Sequence, residues 1–266
     1  MNSLRDVALA DAFDGLMVDL DGVVWIGREP VPGSAEALAA LLAAGVELVF
    51  VTNNPGKPPS AYSERLRGLG VEVGPERIVT AGIVAARMAG EAADGGGAFV
   101  IGAEPLQEMV AASGAELLSG EAAHAAKVVV VSGHRGFDYE ELLIAKRALD
   151  AGAALVATSH DPTMPMTGGE VPGTGSILAA VETASGRRAE IAGKPERHLF
   201  ELARERLGGA ERVAMIGDRV SSDIAGGRAA GLATILVLSG TTGEAEAEAA
   251  DPAPDHVVAD LAALLA

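Results

Sequence analysis

Short apolar runs recur along the chain, separated by longer stretches of helical pattern. The runs Leu16 to Leu20, Glu47 to Val51, Ala98 to Ile101, Val128 to Val131, Leu155 to Thr158, Arg212 to Ile216 and Thr234 to Leu238 predict strands. Between them, Ser34 to Ala44, Ser60 to Leu69, Ile83 to Ala93, Pro105 to Ser113, Tyr139 to Ala151, Gly175 to Ala184 and Ile224 to Ala230 predict helices. Strands that read as continuous Val, Ile and Leu are buried on both faces, which is the mark of a parallel sheet covered by its crossover helices. The expected fold class is therefore α/β, a doubly wound parallel sheet. Glycine-rich breaks at Asp94 to Gly97 and Ser185 to Arg188 mark joints. They suggest a second α/β unit at 82–186, inserted into a core domain made of 1–81 and 187–266. The acidic, alanine-rich Glu244 to Ala250 segment reads as a solvated helix or loop.

Composition narrows the class further. A chain of 266 residues is long for one core and suits a core plus a second unit. With 49% hydrophobic and 21% charged residues, disorder is excluded. The formal charge of −17 repels phosphate backbones and anionic headgroups, so neither nucleic acid nor a membrane is an expected partner. No apolar run reaches the roughly 18 residues of a membrane span, and Met1 to Gly15 lacks the apolar stretch of an export signal, so a cytoplasmic location is expected. There is no cysteine, so a metal must take oxygen or imidazole ligands.

Four places carry candidate chemistry. Asp19 and Asp21 stand where the first strand runs out, in a loop whose Gly22 permits a tight turn. Two carboxylates held close together recruit a cation or keep a proton, although as an isolated pair they fit loop or capping residues equally. Thr52, Asn53 and Asn54 follow the second strand and can cradle an anionic oxygen cluster, or simply form a turn. Lys194, between Gly193 and Pro195, opens the helix predicted from Arg197, where its charge suits a phosphate or a neighbouring carboxylate. It is not part of a P-loop, since Pro195 stands where Ser or Thr is required. Asp218 follows another strand; Asp223 lies five residues on and reads either as a ligand or as the N-cap of the next helix. In a parallel sheet all strand carboxyl ends share one edge, where ligands bind. That edge gathers oxygen donors for a hard divalent cation together with donors for an oxyanion.

Asp19-Leu20-Asp21-Gly22, Thr52-Asn53-Asn54, Gly193-Lys194-Pro195 and Gly217-Asp218 with Asp223 resemble the four-motif signature of the haloacid dehalogenase superfamily of phosphohydrolases. An insertion between the second and third motifs is similar to the class IIA members with a large α/β cap, the nitrophenylphosphatase and phosphoglycolate phosphatase-like group. The resemblance runs from about Gly15 to the C-terminus and takes in Val156-Ala157-Thr158 and Val171-Pro172-Gly173-Thr174-Gly175. Ser159-His160 and Ser221-Ser222 depart from the Asn- and Asp-containing versions expected there.

The resemblance implies a Mg²⁺-dependent phosphatase of small phosphomonoesters. Asp19 would be the nucleophile that forms an aspartyl phosphate, and Asp21 the acid and base. Because halide departure needs no proton donor, Asp21 favours phosphate chemistry over dehalogenation. Thr52, Asn53 and Lys194 would bind phosphate; Asp19, the Asp21 backbone carbonyl and Asp218 would hold Mg²⁺, with Asp223 in support. The cap would select the substrate, chiefly through Ser159 to Gly175. Within that segment His160 reads as a substrate contact or as an ordinary loop residue, while Lys57 and Arg219 read as surface residues. Glycerol phosphate, phosphoglycolate, nucleoside monophosphates, sugar phosphates and, in vitro, para-nitrophenyl phosphate are the candidate substrates. By the same analogy a homodimer through the cap is open. A phosphotransferase or mutase using the same nucleophile, and a catalytically silent module sensing phosphometabolites, are the competing readings. A dinucleotide-binding oxidoreductase is weaker, because the strand-to-helix turns lack Gly-x-Gly-x-x-Gly.

Overall fold

The computed structural model describes residues 12–166 and 169–265. The chain divides into two compact units. The first runs to Thr52, resumes over Pro59–Val79 and continues from Lys194; the second comprises Asn53–Pro58 and Thr80–Gly193.

The first unit holds a six-stranded sheet ordered His256–Val258, Ala233–Val237, Val213–Gly217, Gly15–Asp19, Glu47–Thr52 and Ile78–Thr80. Gly15–Asp19 is central and parallel to both neighbours, with Gly15 opposite Val213 on one side and Glu47 on the other. Because successive side chains in a strand alternate faces, Leu16, Val18, Leu48, Phe50, Ala214 and Ile216 enter one core cluster, joined by Leu38, Leu41 and Leu66 from the helices Ser34–Ala43 and Pro59–Gly68. Met17, Val49 and Met215 occupy the intervening positions and are equally buried. Each such side chain contributes about 1.5–3 kcal/mol on leaving water, so a sheet buried on both faces needs the unbroken apolar runs seen here. The helix Ala225–Ala229 reaches the second face through Gly227, where an added Cβ would stand 2.9 Å from that of Met215.

The helix expected over Ile224 to Ala230 is present as Ala225–Ala229, and a π-type turn, Val220–Ile224, leads into it. Gly231, at φ 72°, ends it in the left-handed conformation. Glu244–Glu248 is helical, with Ala247 buried.

The second unit has its own five-stranded parallel sheet, ordered Glu190–Ile191, Ala154–Ala157, Val128–Val131, Gly97–Ile101 and Glu116–Leu117. The helices Ala81–Ala93, Glu104–Ala112, Tyr139–Asp150 and Thr174–Ser185 belong to it. Ile101, Val129, Val131, Ala145 and Val181 lie in a core separate from that of the first unit. An antiparallel hairpin, Thr163–Met166 with Gly169–Pro172, completes it. Among the described residues, no helix is long and apolar enough to cross a membrane.

Candidate active site

Asp19, Thr52 and Gly217 are the last residues of three neighbouring parallel strands, so they share one edge of the first unit's sheet. Asp218 follows immediately. Asp223 is held by the π-type turn, the insertion of an extra residue per turn that recurs at functional sites. Its Oδ2 accepts the Arg219 N–H at 3.0 Å. The following helix takes Ile224 as its N-cap and no side-chain cap, so Asp223 serves the strand edge and not the helix end.

Lys194 joins these carboxylates. Its Nζ lies 2.7 Å from Asp19 Oδ1 and 2.6 Å from Asp223 Oδ1. All four groups are buried: Asp19 is 6% exposed, Asp218 2%, Asp223 0% and Lys194 4%. One ligand oxygen from each of Asp19, Asp218 and Asp223 lies within 4.8 Å of the others. At about 4 Å, two like charges repel by roughly 4 kcal/mol at an effective dielectric of 20. One ammonium therefore does not neutralise three buried carboxylates. Burial pushes the Asp19 carboxyl up to about 8, opposed by Lys194 and reinforced by Asp223 and Asp218. Burial and Asp223 also raise Asp218, against the Thr241 hydrogen bond that lowers it. Burial works to lower Lys194, but Asp19 and Asp223 outweigh it and hold the ammonium charged well above its ordinary range.

The donor set fits a hard divalent cation. Asp218 Oδ2 accepts the Thr241 N–H at 2.7 Å, whereas its Oδ1 is buried and accepts no hydrogen bond. A buried carboxylate oxygen left in that state costs about 1–3 kcal/mol or more unless something positive meets it. Glycine keeps space beside the other oxygen of the same carboxylate. A Cβ on Gly22 or Gly240 would stand 2.3 or 2.2 Å from Asp218 Oδ2. Gly22 is also at φ 88°, a conformation in which a side chain is strained.

Asp21 is placed differently from the buried cluster. It is exposed, and its Oδ1 accepts a hydrogen bond from Trp25 Nε1 at 3.0 Å. Thr52 is buried at its strand end. Asn53 opens the short segment that belongs to the second unit, and its Oδ1 would lie 2.6 Å from a Cβ on Gly193. Lys57, His160 and Arg219 are exposed.

Sequence reasoning overlooked the loop Ser239 to Thr242. Thr241 donates to Asp218, Gly240 packs against it, and the Ser239 hydroxyl donates to the Gly22 carbonyl at 2.8 Å. The available signal was position, since this loop follows the predicted strand Thr234 to Leu238 and so lies on the same sheet edge. The Trp25 contact carried no such signal.

A family model described as haloacid dehalogenase-like hydrolase matches residues 16–116, and a second model of related hydrolases matches 191–264. Human chronophin is 36% identical over 270 residues, covering 95% of this chain and 91% of its own. The structure of a glycerol phosphate phosphatase from Mycobacterium tuberculosis in complex with magnesium superposes with a TM-score of 0.89 at 34% identity, over 97% of this chain and 78% of that one. A p-nitrophenyl phosphatase from Archaeoglobus fulgidus gives 0.88 at 31% identity, over 95% and 98%. An edge of clustered carboxylates and one lysine on a parallel sheet, within a chain so similar to these over nearly its whole length, places the protein in the haloacid dehalogenase-like hydrolase family, among its class IIA phosphatases.

Proposed function

We propose that this phosphoric monoester hydrolase acts on small phosphomonoesters with Mg²⁺, through a phosphorylated Asp19. The observation that carries the reading is the buried Lys194, bridging Asp19 and Asp223 beside an Asp218 oxygen with no hydrogen bond. A site built for anion binding alone would not bury three carboxylates there.

Asp19, the Asp21 backbone carbonyl and Asp218 would hold the cation, with Asp223 in support. Bound there, Mg²⁺ offsets the repulsion between a carboxylate and a phosphate dianion. Lys194, the Thr52 hydroxyl and Asn53 hold phosphoryl oxygens. The Asp19 carboxylate attacks phosphorus in line, and the ester P–O bond breaks. Asp21 gives its proton to the departing alkoxide oxygen. Asp21 then removes a proton from water as that water attacks phosphorus, which frees inorganic phosphate and restores the Asp19 carboxylate. The carboxylates and the lysine all lie in the first unit, so beyond the Asn53 amide the second contributes substrate selection and not bond cleavage.

Relatives whose names specify glycerol phosphate and p-nitrophenyl phosphate, one of them bound to magnesium, support the same substrate class here. Phosphoglycolate, nucleoside monophosphates and sugar phosphates complete the panel to assay. Asp19→Asn is expected to abolish para-nitrophenyl phosphate hydrolysis while the protein stays folded. Turnover retained in that variant refutes the nucleophile. Because water attacks phosphorus, single-turnover reaction in oxygen-18 water should place the label in the released phosphate and none in Asp19, whereas borohydride added during turnover should reduce the acyl phosphate and leave homoserine at position 19.

A further inference from the structure

Asp21 sits on a loop and is exposed, yet an acid that must meet a departing oxygen has to be held within about 2.6–3.2 Å of it. An unrestrained aspartate samples several rotamers, and a misplacement of about 1 Å costs on the order of 100-fold. The restraint in this protein is Trp25. Its Nε1 donates to Asp21 Oδ1 at 3.0 Å, and the ring itself is fully buried. An indole has a single polar group, a donor, and a buried one needs a partner. Asp21 is that partner.

The ring is itself held on several sides. Within the turn, the Gly22 N–H donates to the Trp25 carbonyl at 2.7 Å and the Trp25 N–H to the Leu20 carbonyl at 3.2 Å. Tyr62 stacks parallel to the indole, with centroids 6.5 Å apart at 6°. The Arg65 guanidinium lies 3.8 Å from the ring centroid, and its NH2 group donates to the Gly27 carbonyl at 2.8 Å. Tyr62 and Arg65 are three residues apart on the helix Pro59–Gly68, so one helix face presents both. A tryptophan that served only as core filling would not need its donor aimed at an exposed carboxylate.

We propose that Trp25 is a positioning residue for the acid and base of the reaction, clamped in turn by Tyr62 and Arg65. This rests on the reading of Asp21 given above. With Oδ1 held by the indole, Oδ2 is the oxygen that passes the proton to the leaving oxygen and later takes one from water.

The chain has a single tryptophan. Expression in a tryptophan auxotroph fed benzothienylalanine therefore replaces position 25 alone, keeping the ring shape and exchanging the N–H for sulfur. The readout is kcat/KM for para-nitrophenyl phosphate and for phenyl phosphate, because it reports the P–O cleavage step and the second leaving group depends more on a proton. Deleting the donor should lower the phenyl to nitrophenyl ratio on the order of tenfold, and Trp25→Phe should do the same. Asp21→Asn, as reference, should lower it further. An unchanged ratio in the benzothienyl protein, beside a collapsed ratio in Asp21→Asn, overturns the role of Trp25 and leaves Asp21 standing. An unchanged ratio in Asp21→Asn overturns both. Independently of activity, the single indole N–H resonance of a ¹⁵N-tryptophan sample should shift in Asp21→Ala; an unmoved resonance overturns the contact.

Discussion

Lys194→Met removes the ammonium between Asp19 and Asp223 and keeps most of the side-chain volume. The perturbation is large because both partners are buried: the two ion pairs are 2.7 and 2.6 Å long, and Asp223 has no exposure at all. Breaking a buried pair by removing one member costs about 3–5 kcal/mol, since the remaining charge is left without compensation. Against a domain stability of about 5–15 kcal/mol, that loss is readily seen in urea unfolding in the presence of EDTA. The pH dependence follows from Asp19. Its folded pKa of about 8 lies above the ordinary 3.8, so between those values the folded protein holds a proton that the unfolded chain has released. Its contribution to stability is complete below the ordinary value and lost as the pH rises through the folded one. The variant's Asp19, lacking the lysine that opposes this rise, keeps its proton to still higher pH, so the deficit should be level between about pH 5 and pH 7 and widen as the pH rises past about 8, where only the parent's Asp19 ionises. Adding Asp223→Asn should recover part of the loss. A deficit below about 1 kcal/mol at pH 7, or one that fails to widen above about pH 8, refutes the view that Lys194 compensates buried carboxylates.

Gly240→Ala should destabilise the protein by about 1–3 kcal/mol and depress phosphatase activity, because the new Cβ would stand 2.2 Å from Asp218 Oδ2; calorimetry and para-nitrophenyl phosphate turnover check both. Mg²⁺ at about 100 times its dissociation constant should stabilise the parent by about 3 kcal/mol and Asp218→Asn by far less, read as a shift of the urea midpoint. Asp255 lies outside the site. Burial works to raise its carboxyl, but hydrogen bonds from Thr234 and the charge of Arg228 hold it below the usual range. Its contribution is thus present at neutral pH and lost as the pH falls through the folded value, so Asp255→Asn, discounted for solvent screening of a side chain 40% exposed, should cost under about 1 kcal/mol at pH 7 and little in acid. An equal deficit at both pH values in urea titrations argues against the charged hydrogen bonds.

How much of this was legible in the sequence follows from what each feature depends on. Strands such as Gly15–Asp19 and Val213–Gly217 are visible because a two-sided burial demands unbroken apolar runs, and such runs survive in any reading of the chain. Edge strands of two or three residues, including Ile78–Thr80, Glu190–Ile191 and His256–Val258, are too short to show a period, and pairing alone defines them. The relation of Asp19, Thr52 and Asp218 to one edge is also a sequence-level inference, since parallel strands put their carboxyl ends together.

By itself, then, the amino-acid sequence determined the α/β class and the residues that stand at the ends of its strands, because periodicity and local motif chemistry act over a few neighbouring positions. Only the tertiary structure decided what those residues meet. Asp223 reads locally as either a ligand or a helix cap, and a π-type turn delivers it to Lys194. Asp218 takes its N–H from Thr241, and Gly240 keeps the space beside it. Trp25, which local pattern does not single out, is buried and gives its one donor to Asp21. These are contacts between side chains and distant loops, set by how helices and strand ends pack in three dimensions, and no period along the chain encodes them.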